Sequence, residues 1–439
     1  MSWLLSTRSE GLSGNLTVPG DKSISHRSVI LGSIAEGASH ITGILEGDDV
    51  VATISAFRKL GVQITGPSEG ELVINGVGKD GLSGPTEALD LGNSGTSMRL
   101  LCGLLSGQRF NTTLVGDESL GKRPMRRVIE PLSQMGAQIE SADGCAPLFI
   151  KGQGALSSID YRLPVASAQV KSALLLAGLY GSGKTTVFEP VLTRDHTERM
   201  LAAFSSNPFK KTNPCEVFDS WSLKGQRIEV PADISSAAFF LVAASLIPRS
   251  DLLLLNVGIN PTREAVLKIL GLMGAQIEEI NRRENALEPV CDLRVRHSAL
   301  HGIDIPPDLV ANAIDEFPVL SIAAGGAKGL TRLRGAAELR VKESDRIAAM
   351  VQGLKRLSIE VEEFPDGMDI VGGVFGEGTV ESHGDHRIAM AFAVAGGVAE
   401  GPVKILNADN VKTSFPNFSR TASQAGLLVT EGTESISGG

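Results

Sequence analysis

Aromatic side chains are scarce in this 439-residue chain, at 4% of the sequence with two Trp and two Tyr, so its cores must be aliphatic. Cysteine is scarcer still: Cys102, Cys145, Cys215 and Cys291 are scattered, with neither a CxxC pair nor zinc-type spacing. That excludes a disulfide-stapled fold and reads as reduced thiols in a cytosolic protein. No run approaches the ~20 apolar residues that a membrane span requires. The longest, such as Ala173 to Tyr180 and Ala237 to Ile247, have the length of buried helices. The opening Met1-Ser2-Trp3-Leu4-Leu5-Ser6 lacks the basic lead and small-residue cleavage site of a signal peptide, and a cytoplasmic protein with no membrane partner is expected. Net positive charge is missing too. The formal balance is -9, which argues against nucleic acid as a partner and leaves any cluster of cations needing a local explanation.

What the chain has in quantity is glycine, 50 residues, within an ordinary globular balance of 42% apolar and 21% charged residues. Tight, numerous turns follow, and the length favours two or three domains over a single core. The phrase Arg58-Lys59-Leu60-Gly61-Val62-Gln63-Ile64 returns as Ser133-Gln134-Met135-Gly136-Ala137-Gln138-Ile139 and as Gly271-Leu272-Met273-Gly274-Ala275-Gln276-Ile277. Weaker echoes stand at Lys355 to Val361 and at Gln424 to Val429. Each copy follows an amphipathic helical stretch and precedes an alternating one, which places the Gly just past a helix, in the left-handed conformation, with a strand after it. The copies recur about every 70–85 residues, with one gap of double length. A degenerate sixth copy is expected in that gap, and Arg199-Met200-Leu201-Ala202-Ala203-Phe204 is the candidate. Six α/β units suggest three per domain, with the junction near Pro231-Ala232-Asp233 and the strand-like Leu12 to Val18 pairing with the C-terminal half. The expected layout is an N-terminal three-unit domain over 21–233, a C-terminal three-unit domain over 1–20 plus 234–430, and a disordered Ser- and Gly-rich tail over 431–439.

Chemistry-bearing residues gather where these units begin their helices. Pro19-Gly20-Asp21 is turn chemistry, and the apolar spacing after it predicts a helix from near Ser23. Lys22 and Arg27 add two cations to a helix start that already presents unpaired N–H groups, which makes an anion site. Gly92-Asn93-Ser94-Gly95-Thr96 is a glycine-rich turn opening a second helix, and four cations crowd into Lys122-Arg123-Pro124-Met125-Arg126-Arg127, with Pro124 suited to a first helical position. Ser167-Ala168-Gln169-Val170-Lys171-Ser172 puts a hydroxyl, an amide and an ammonium at the head of a third. The C-terminal half repeats the theme with Asp315-Glu316, with Lys342-Glu343-Ser344-Asp345-Arg346 opening a helix on which Lys342 and Arg346 share a side, and with His383-Gly384-Asp385-His386-Arg387. If the units pack alike, these cations line an electropositive cleft at the seam between domains, suited to small ligands with several phosphates or carboxylates.

Two tempting motifs are declined. His383, Asp385 and His386 lack a further metal ligand at recognisable spacing. Gly178-Leu179-Tyr180-Gly181-Ser182-Gly183-Lys184-Thr185 satisfies the Walker A pattern, but its order is helix, loop, strand, so the loop faces a helix C-terminus whose partial negative charge repels phosphate.

The segments Pro19 to Arg27, Gly92 to Thr96, Arg123-Pro124-Met125, Val341 to Arg346 and Asp385-His386-Arg387 closely resemble the 5-enolpyruvylshikimate-3-phosphate synthase family, in the family's order and over nearly the whole chain. The resemblance implies the two-domain enolpyruvyl transferase α/β fold, closing over substrate. It implies transfer of the enolpyruvyl group of phosphoenolpyruvate to the 5-hydroxyl of shikimate 3-phosphate, without metal or cofactor; a monomer is expected. By position in the matching motifs, Lys22, Ser23, Arg27, Ser167 and Lys342 hold shikimate 3-phosphate. Gly95, Arg123, Gln169, Arg346 and Arg387 hold phosphoenolpyruvate, with Asn93 assisting and Lys22 touching both. Asp315 and Glu343 are the carboxylates that move protons, with Lys22 as a third candidate. Ala168 stands in the substrate-binding run where many relatives have a second serine. Near the C-terminus Thr413 takes the place of an expected lysine, and whether Lys412, one residue earlier, contacts substrate is left open. A related transferase acting on UDP-N-acetylglucosamine is the nearest rival, but it places a reactive Cys in the loop that here, Gly121 to Arg127, has none. A non-catalytic repeat scaffold gives no reason for paired carboxylates among so many cations.

Overall fold

The computed structural model describes residues 2–207, 212–285 and 288–433, and the chain divides into two compact units. One, here the N-terminal unit, takes Gly20–Val230 with Asn285–Glu288; the other, the C-terminal unit, takes Met1–Pro19, Pro231–Glu284 and Pro289–Gly439.

Each unit is three copies of one plan: an apolar inner helix, a strand, an amphipathic outer helix, and then further strands. In the N-terminal unit the inner helices are Lys22–Ile34, Gly95–Ser106 and Ala168–Gly178, and the outer ones Asp48–Lys59, Arg126–Gln134 and His196–Ser205. In the C-terminal unit the inner helices are Ile234–Leu246, Phe317–Gly326 and His386–Val398, and the outer ones Ala265–Leu272, Arg346–Arg356 and Phe418–Ala425. The inner helices are buried nearly all round and supply much of each unit's core; all but Lys22–Ile34, which buries His26, Arg27 and serines as well, are correspondingly apolar nearly all round. Small residues let them pack closely. A Cβ added at Gly103 would stand 2.1 Å from the backbone oxygen of Ala173 on the neighbouring inner helix.

The sheets repeat a plan as well. Glu36–Thr42 runs parallel to Arg227–Glu229 and antiparallel to Glu71–Val77; Thr112–Val115 runs parallel to Leu89–Asp90 and antiparallel to Cys145–Lys151. Lys184–Phe188 does the same between Asp160–Arg162 and Cys215–Phe218. In the C-terminal unit Asp251–Gly258 lies parallel to Ser13–Leu16, and Val403–Leu406 lies parallel to Gly378–Glu381 and antiparallel to Ser2–Ser6. The strand after each inner helix is thus the hinge of its sheet, parallel on one side and antiparallel on the other. In the fifth sheet, Leu330–Leu333 pairs antiparallel with Gly367–Val371 and meets its parallel neighbour only in the bridges His301 to Lys328 and Asp304 to Arg332.

Every outer helix ends beside a residue with positive φ: Gly61, Gly136, Ser206, Gly274, Ser358 and Gly426. This supplies the missing sixth copy. His196–Ser205 covers the candidate Arg199 to Phe204, and Ser206 takes the left-handed position that glycine holds elsewhere.

The structure corrects four expectations of detail. The tail does not begin at Glu431: Val429–Thr433 is a strand paired antiparallel with Ser2–Ser6, and residues 434–439 lie outside the described residues. The first helix starts at Lys22 because Asp21 caps it, accepting from the Ile24 amide at 2.8 Å. Pro124 is not a first helical residue. The Met125 amide is drawn to the Gly144 oxygen, and the helix starts at Arg126. Lys342 does not share a helix with Arg346. It follows a 3-10 turn, Ala337–Val341, in extended conformation, and Asp345 starts the helix at Arg346 by capping the Ala348 amide at 3.0 Å. The Walker-like loop lies between Ala168–Gly178 and Lys184–Phe188, in the order helix, loop, strand. Among the described residues no helix is long and apolar enough to cross a membrane.

Ser358 holds φ 66° at a position its neighbours' counterparts fill with glycine. Replacing Ser358 by Gly is expected to raise stability by up to about 1 kcal/mol, the steric penalty of a left-handed non-glycine residue less glycine's unfolded-state entropy. Urea denaturation checks this through the midpoint, and a lowered midpoint contradicts it.

Candidate active site

In the N-terminal unit the three inner helix starts are stitched together by side chains. Ser94 caps Gly95–Ser106 and Ser167 caps Ala168–Gly178. His26, on the first helix, lies with Nδ1 2.8 Å from Thr53 Oγ1 and 3.2 Å from Ser97 Oγ, and with Nε2 3.5 Å from Ser94 Oγ. Gln169 joins the second and third helices: its Oε1 accepts from Arg99 Nη1 at 2.6 Å, and its Nε2 donates to Thr96 Oγ1 at 2.9 Å. Gly95 has no Cβ, and there two guanidinium groups come near. A Cβ at that position would stand 2.9 Å from Arg99 Nη1 and 3.1 Å from Arg123 Nη1. Arg123 Nη2 donates to Asn93 Oδ1 at 2.6 Å, and Asn93 Nδ2 to Asp117 Oδ2 at 2.8 Å, so Asn93 orients the arginine.

Lys22 forms an ion pair with Asp49 at the start of the first outer helix. Arg27 is buried and spends its donors on Thr197 Oγ1 at 2.7 Å, Ser172 Oγ at 2.8 Å and the Ser23 carbonyl at 3.0 Å. Burial lowers its pKa to about 10, which still leaves it protonated at neutral pH. Lys171 corrects the sequence reading. Its ammonium is 1% exposed and held by Glu189 at 2.8 Å and Glu198 at 2.7 Å, so it closes the packing behind the helix start instead of offering a charge there.

In the C-terminal unit the carboxylates and cations meet directly. Asp315 Oδ1 lies 3.4 Å from both Lys342 Nζ and Arg346 Nη1. Arg346 Nη2 donates to Glu343 Oε2 at 2.6 Å, and its Nε to Asp385 Oδ2 at 2.8 Å. Arg387 Nη1 donates to the Asp315 carbonyl at 3.0 Å. Arg346 is buried, yet Asp385, Glu343 and Asp315 raise its pKa above the usual arginine value, while Asp385, despite its burial, is held low chiefly by the Arg346 charge. Asp385 also caps His386–Val398 by accepting from the Arg387 amide at 2.9 Å. Among the described residues no group of three or more His, Cys, Asp or Glu side chains is arranged to hold a metal ion.

The structure therefore gathers Arg123, Asn93, Gly95 and Gln169 through shared contacts in one unit. It gathers Asp315, Lys342, Glu343, Arg346 and Arg387 in the other. Sequence reasoning passed over Asp49, although Gly47-Asp48-Asp49 reads as an acidic helix start, and it counted Arg99 among the cations at helix starts without giving it a ligand. It also missed Arg263, which the Asn260-Pro261-Thr262 turn presents to Asp233 at 3.4 Å and to Glu316 at 3.5 Å.

Two units of three repeats, each collecting guanidinium, ammonium and carboxylate groups at its helix starts, define an enzyme for small, multiply anionic substrates. Residues 7–421 match the model of the family described as EPSP synthase (3-phosphoshikimate 1-carboxyvinyltransferase), and the chain belongs to that family. It is 58% identical over 423 residues to the 3-phosphoshikimate 1-carboxyvinyltransferase of Alkalilimnicola ehrlichii, covering 96% of this chain and 95% of that one. To the enzyme of the same name from Coxiella burnetii it is 56% identical over 422 residues, covering 96% of each. The solved structure of EPSP synthase from Acinetobacter baumannii superposes with a TM-score of 0.89 at 49% identity, covering 98% of this chain and all of that one.

His26 carries a pH dependence. Burial first, then the charges of Lys22 and Arg27, push its pKa well below 6.5, so the folded protein keeps it neutral where the unfolded chain takes up a proton. Its contribution is complete above pH 6.5 and is lost progressively as pH falls below it. The expected result is that His26→Gln flattens the decline in urea midpoint between about pH 7 and 5.5; parallel wild-type and variant profiles contradict it.

Proposed function

We propose that this chain transfers the enolpyruvyl group of phosphoenolpyruvate to the 5-hydroxyl of shikimate 3-phosphate and releases phosphate, with the residues gathered above in named roles. The observation that carries the assignment is Asp315, whose carboxylate lies 3.4 Å from both an ammonium and a guanidinium, with Glu343 2.6 Å from the other terminal nitrogen of the same guanidinium. Addition needs a base for the 5-hydroxyl as its oxygen bonds to C2 of phosphoenolpyruvate, and an acid to protonate the methylene carbon. Elimination then breaks the C2–O bond to phosphate and returns a proton from the new methyl group. Asp315 and Glu343 carry this traffic, with Lys22 as the third group.

Shikimate 3-phosphate is held by Lys22, Ser23, Arg27, Ser167 and Lys342, with Ala168 at the helix start beside them. Phosphoenolpyruvate is held by Gly95, Arg123, Gln169, Arg346 and Arg387, with Asn93 orienting Arg123. The rigid forks support this reading, since Arg99, Arg123 and Arg346 are each held by a hydrogen bond of 2.6 Å and need little reordering when an anion arrives. The domain assignment rests on the same reading: an N-terminal three-repeat domain and a C-terminal one that takes in the first residues, both needed for turnover.

The protein acts in the cytoplasm as a monomer without nucleic-acid partners. Its net charge of -9 and four free thiols support this, as does the lack of aromatics among the large exposed apolar side chains of the described residues.

Phosphate release from phosphoenolpyruvate tests the assignment. It is expected to require shikimate 3-phosphate and to survive a chelator, and Lys22→Met and Asp315→Asn are each expected to lower kcat by about 100-fold or more. Turnover within a few-fold of wild type in either variant, or loss of activity to the chelator, contradicts the assignment.

A further inference from the structure

Five of the six inner helices are capped by a side chain: Asp21, Ser94, Ser167, Asp233 and Asp385 each accept from an amide in the first turn. The exception is Phe317–Gly326. Glu316 stands at its cap position and makes no side-chain cap bond, and Pro318 removes one of the amides that a cap would serve. The Glu316 carboxylate is nevertheless fully buried, which is an expensive place for a charge with no task. It turns away from its own helix. Oε1 accepts from the Ser235 hydroxyl on the first inner helix of the unit and lies 3.5 Å from Arg263 Nη2 and 3.9 Å from Arg387 Nη1. Oε2 is buried and has no hydrogen-bond partner among the described residues.

We propose that Glu316 is the positioning residue for Arg387, holding its guanidinium at the third helix start by charge while leaving its donors for an anionic ligand. The inference rests on the reading that Arg387 binds phosphoenolpyruvate. At 3.9 Å the carboxylate attracts Arg387 Nη1 without taking up an N–H, while an N–H of Nη1 goes to the Asp315 carbonyl at 3.0 Å. Arg387 is thereby pulled back against the residue pair Asp315-Glu316, with one element fixing both a substrate-binding cation and a proton-moving carboxylate. Arg263 and Ser235 are the counterweights. They hold Glu316 from the preceding repeat, and the Asn260 carboxamide oxygen in turn fixes the turn before Arg263 by accepting from the Thr262 amide at 2.9 Å. A neutral amide at this position keeps the shape and loses the attraction, so the guanidinium is free to tilt.

Steady-state kinetics on the full chain tests this. Glu316→Gln is expected to raise KM for phosphoenolpyruvate about tenfold, with KM for shikimate 3-phosphate within about twofold of wild type. Introduced into Arg387→Met, which by itself raises KM for phosphoenolpyruvate, the same substitution is expected to add little, because the group it acts through is gone. Where Glu316→Gln does not fold, Glu316→Asp keeps the charge but withdraws it by one methylene, and it must raise the same KM. A purely structural role predicts a lowered urea midpoint with both KM values unchanged, or an equal further loss in the Arg387→Met background, and either result overturns the proposal. If Arg387→Met itself leaves KM for phosphoenolpyruvate unchanged, the assignment of Arg387 fails, and the positioning role of Glu316 fails with it; a raised KM in that variant beside an unaffected Glu316→Gln sinks the positioning role alone.

Discussion

A helix that starts inside a protein must find partners for its first amides, and this requirement organises the molecule. Each unit buries three apolar helices side by side, which brings three helix starts together with three sets of unpaired donors. The caps Asp21, Ser94, Ser167, Asp233 and Asp385 satisfy some of these donors at once. The remaining partial positive charge is what draws carboxylates and anionic ligands to the same place. Cations are added on top of this field, so each needs a carboxylate, an amide or a hydroxyl nearby to hold it. The chemistry of the site is a consequence of how the core is packed.

The arginines show how that holding is done. Arg346 is almost fully enclosed and meets three carboxylates, Asp385 at 2.8 Å, Glu343 at 2.6 Å and Asp315 at 3.4 Å. Arg27 meets only neutral oxygens, at 2.7 to 3.0 Å. The first is anchored by charge and the second by hydrogen bonds to a fixed wall; burial pulls both pKa values down, but the three carboxylates outweigh it at Arg346, whose pKa goes up, while that of Arg27 comes down to about 10. Both stay cationic at neutral pH. Lys171 marks the limit of the theme, since its two glutamates consume the charge inside the protein.

Much of this was legible in the sequence, and the reasons are local. The repeat could be read because a helix that ends in the left-handed conformation favours glycine, and four of the six copies keep it at Gly61, Gly136, Gly274 and Gly426. The copy ending at Ser206 was obscured because a serine holds that conformation there and the familiar phrase is absent after it. Motifs contiguous in sequence, such as Lys22 to Arg27 or Lys342 to Arg346, announced their chemistry by composition. What stayed hidden depends on contacts between distant residues. Nothing near Asp49 names Lys22 as its partner, and nothing near Arg263 names Glu316, because the first pair is made by the packing of two helices within one repeat and the second by the packing of neighbouring repeats. Helix boundaries also shifted where a single carboxylate, Asp345, claims an amide that apolar spacing does not register.

In the proposed function, the helix starts of the repeats are what hold the anionic substrates. Amide hydrogen exchange measured with shikimate 3-phosphate and a non-reacting phosphoenolpyruvate analogue tests it most directly. Protection is predicted at residues 22–27, 94–99 and 167–172 in one unit and at 315–320, 342–346 and 385–389 in the other, appearing together when both ligands are present. Protection confined to one unit, or falling on segments away from these helix starts, contradicts the claim.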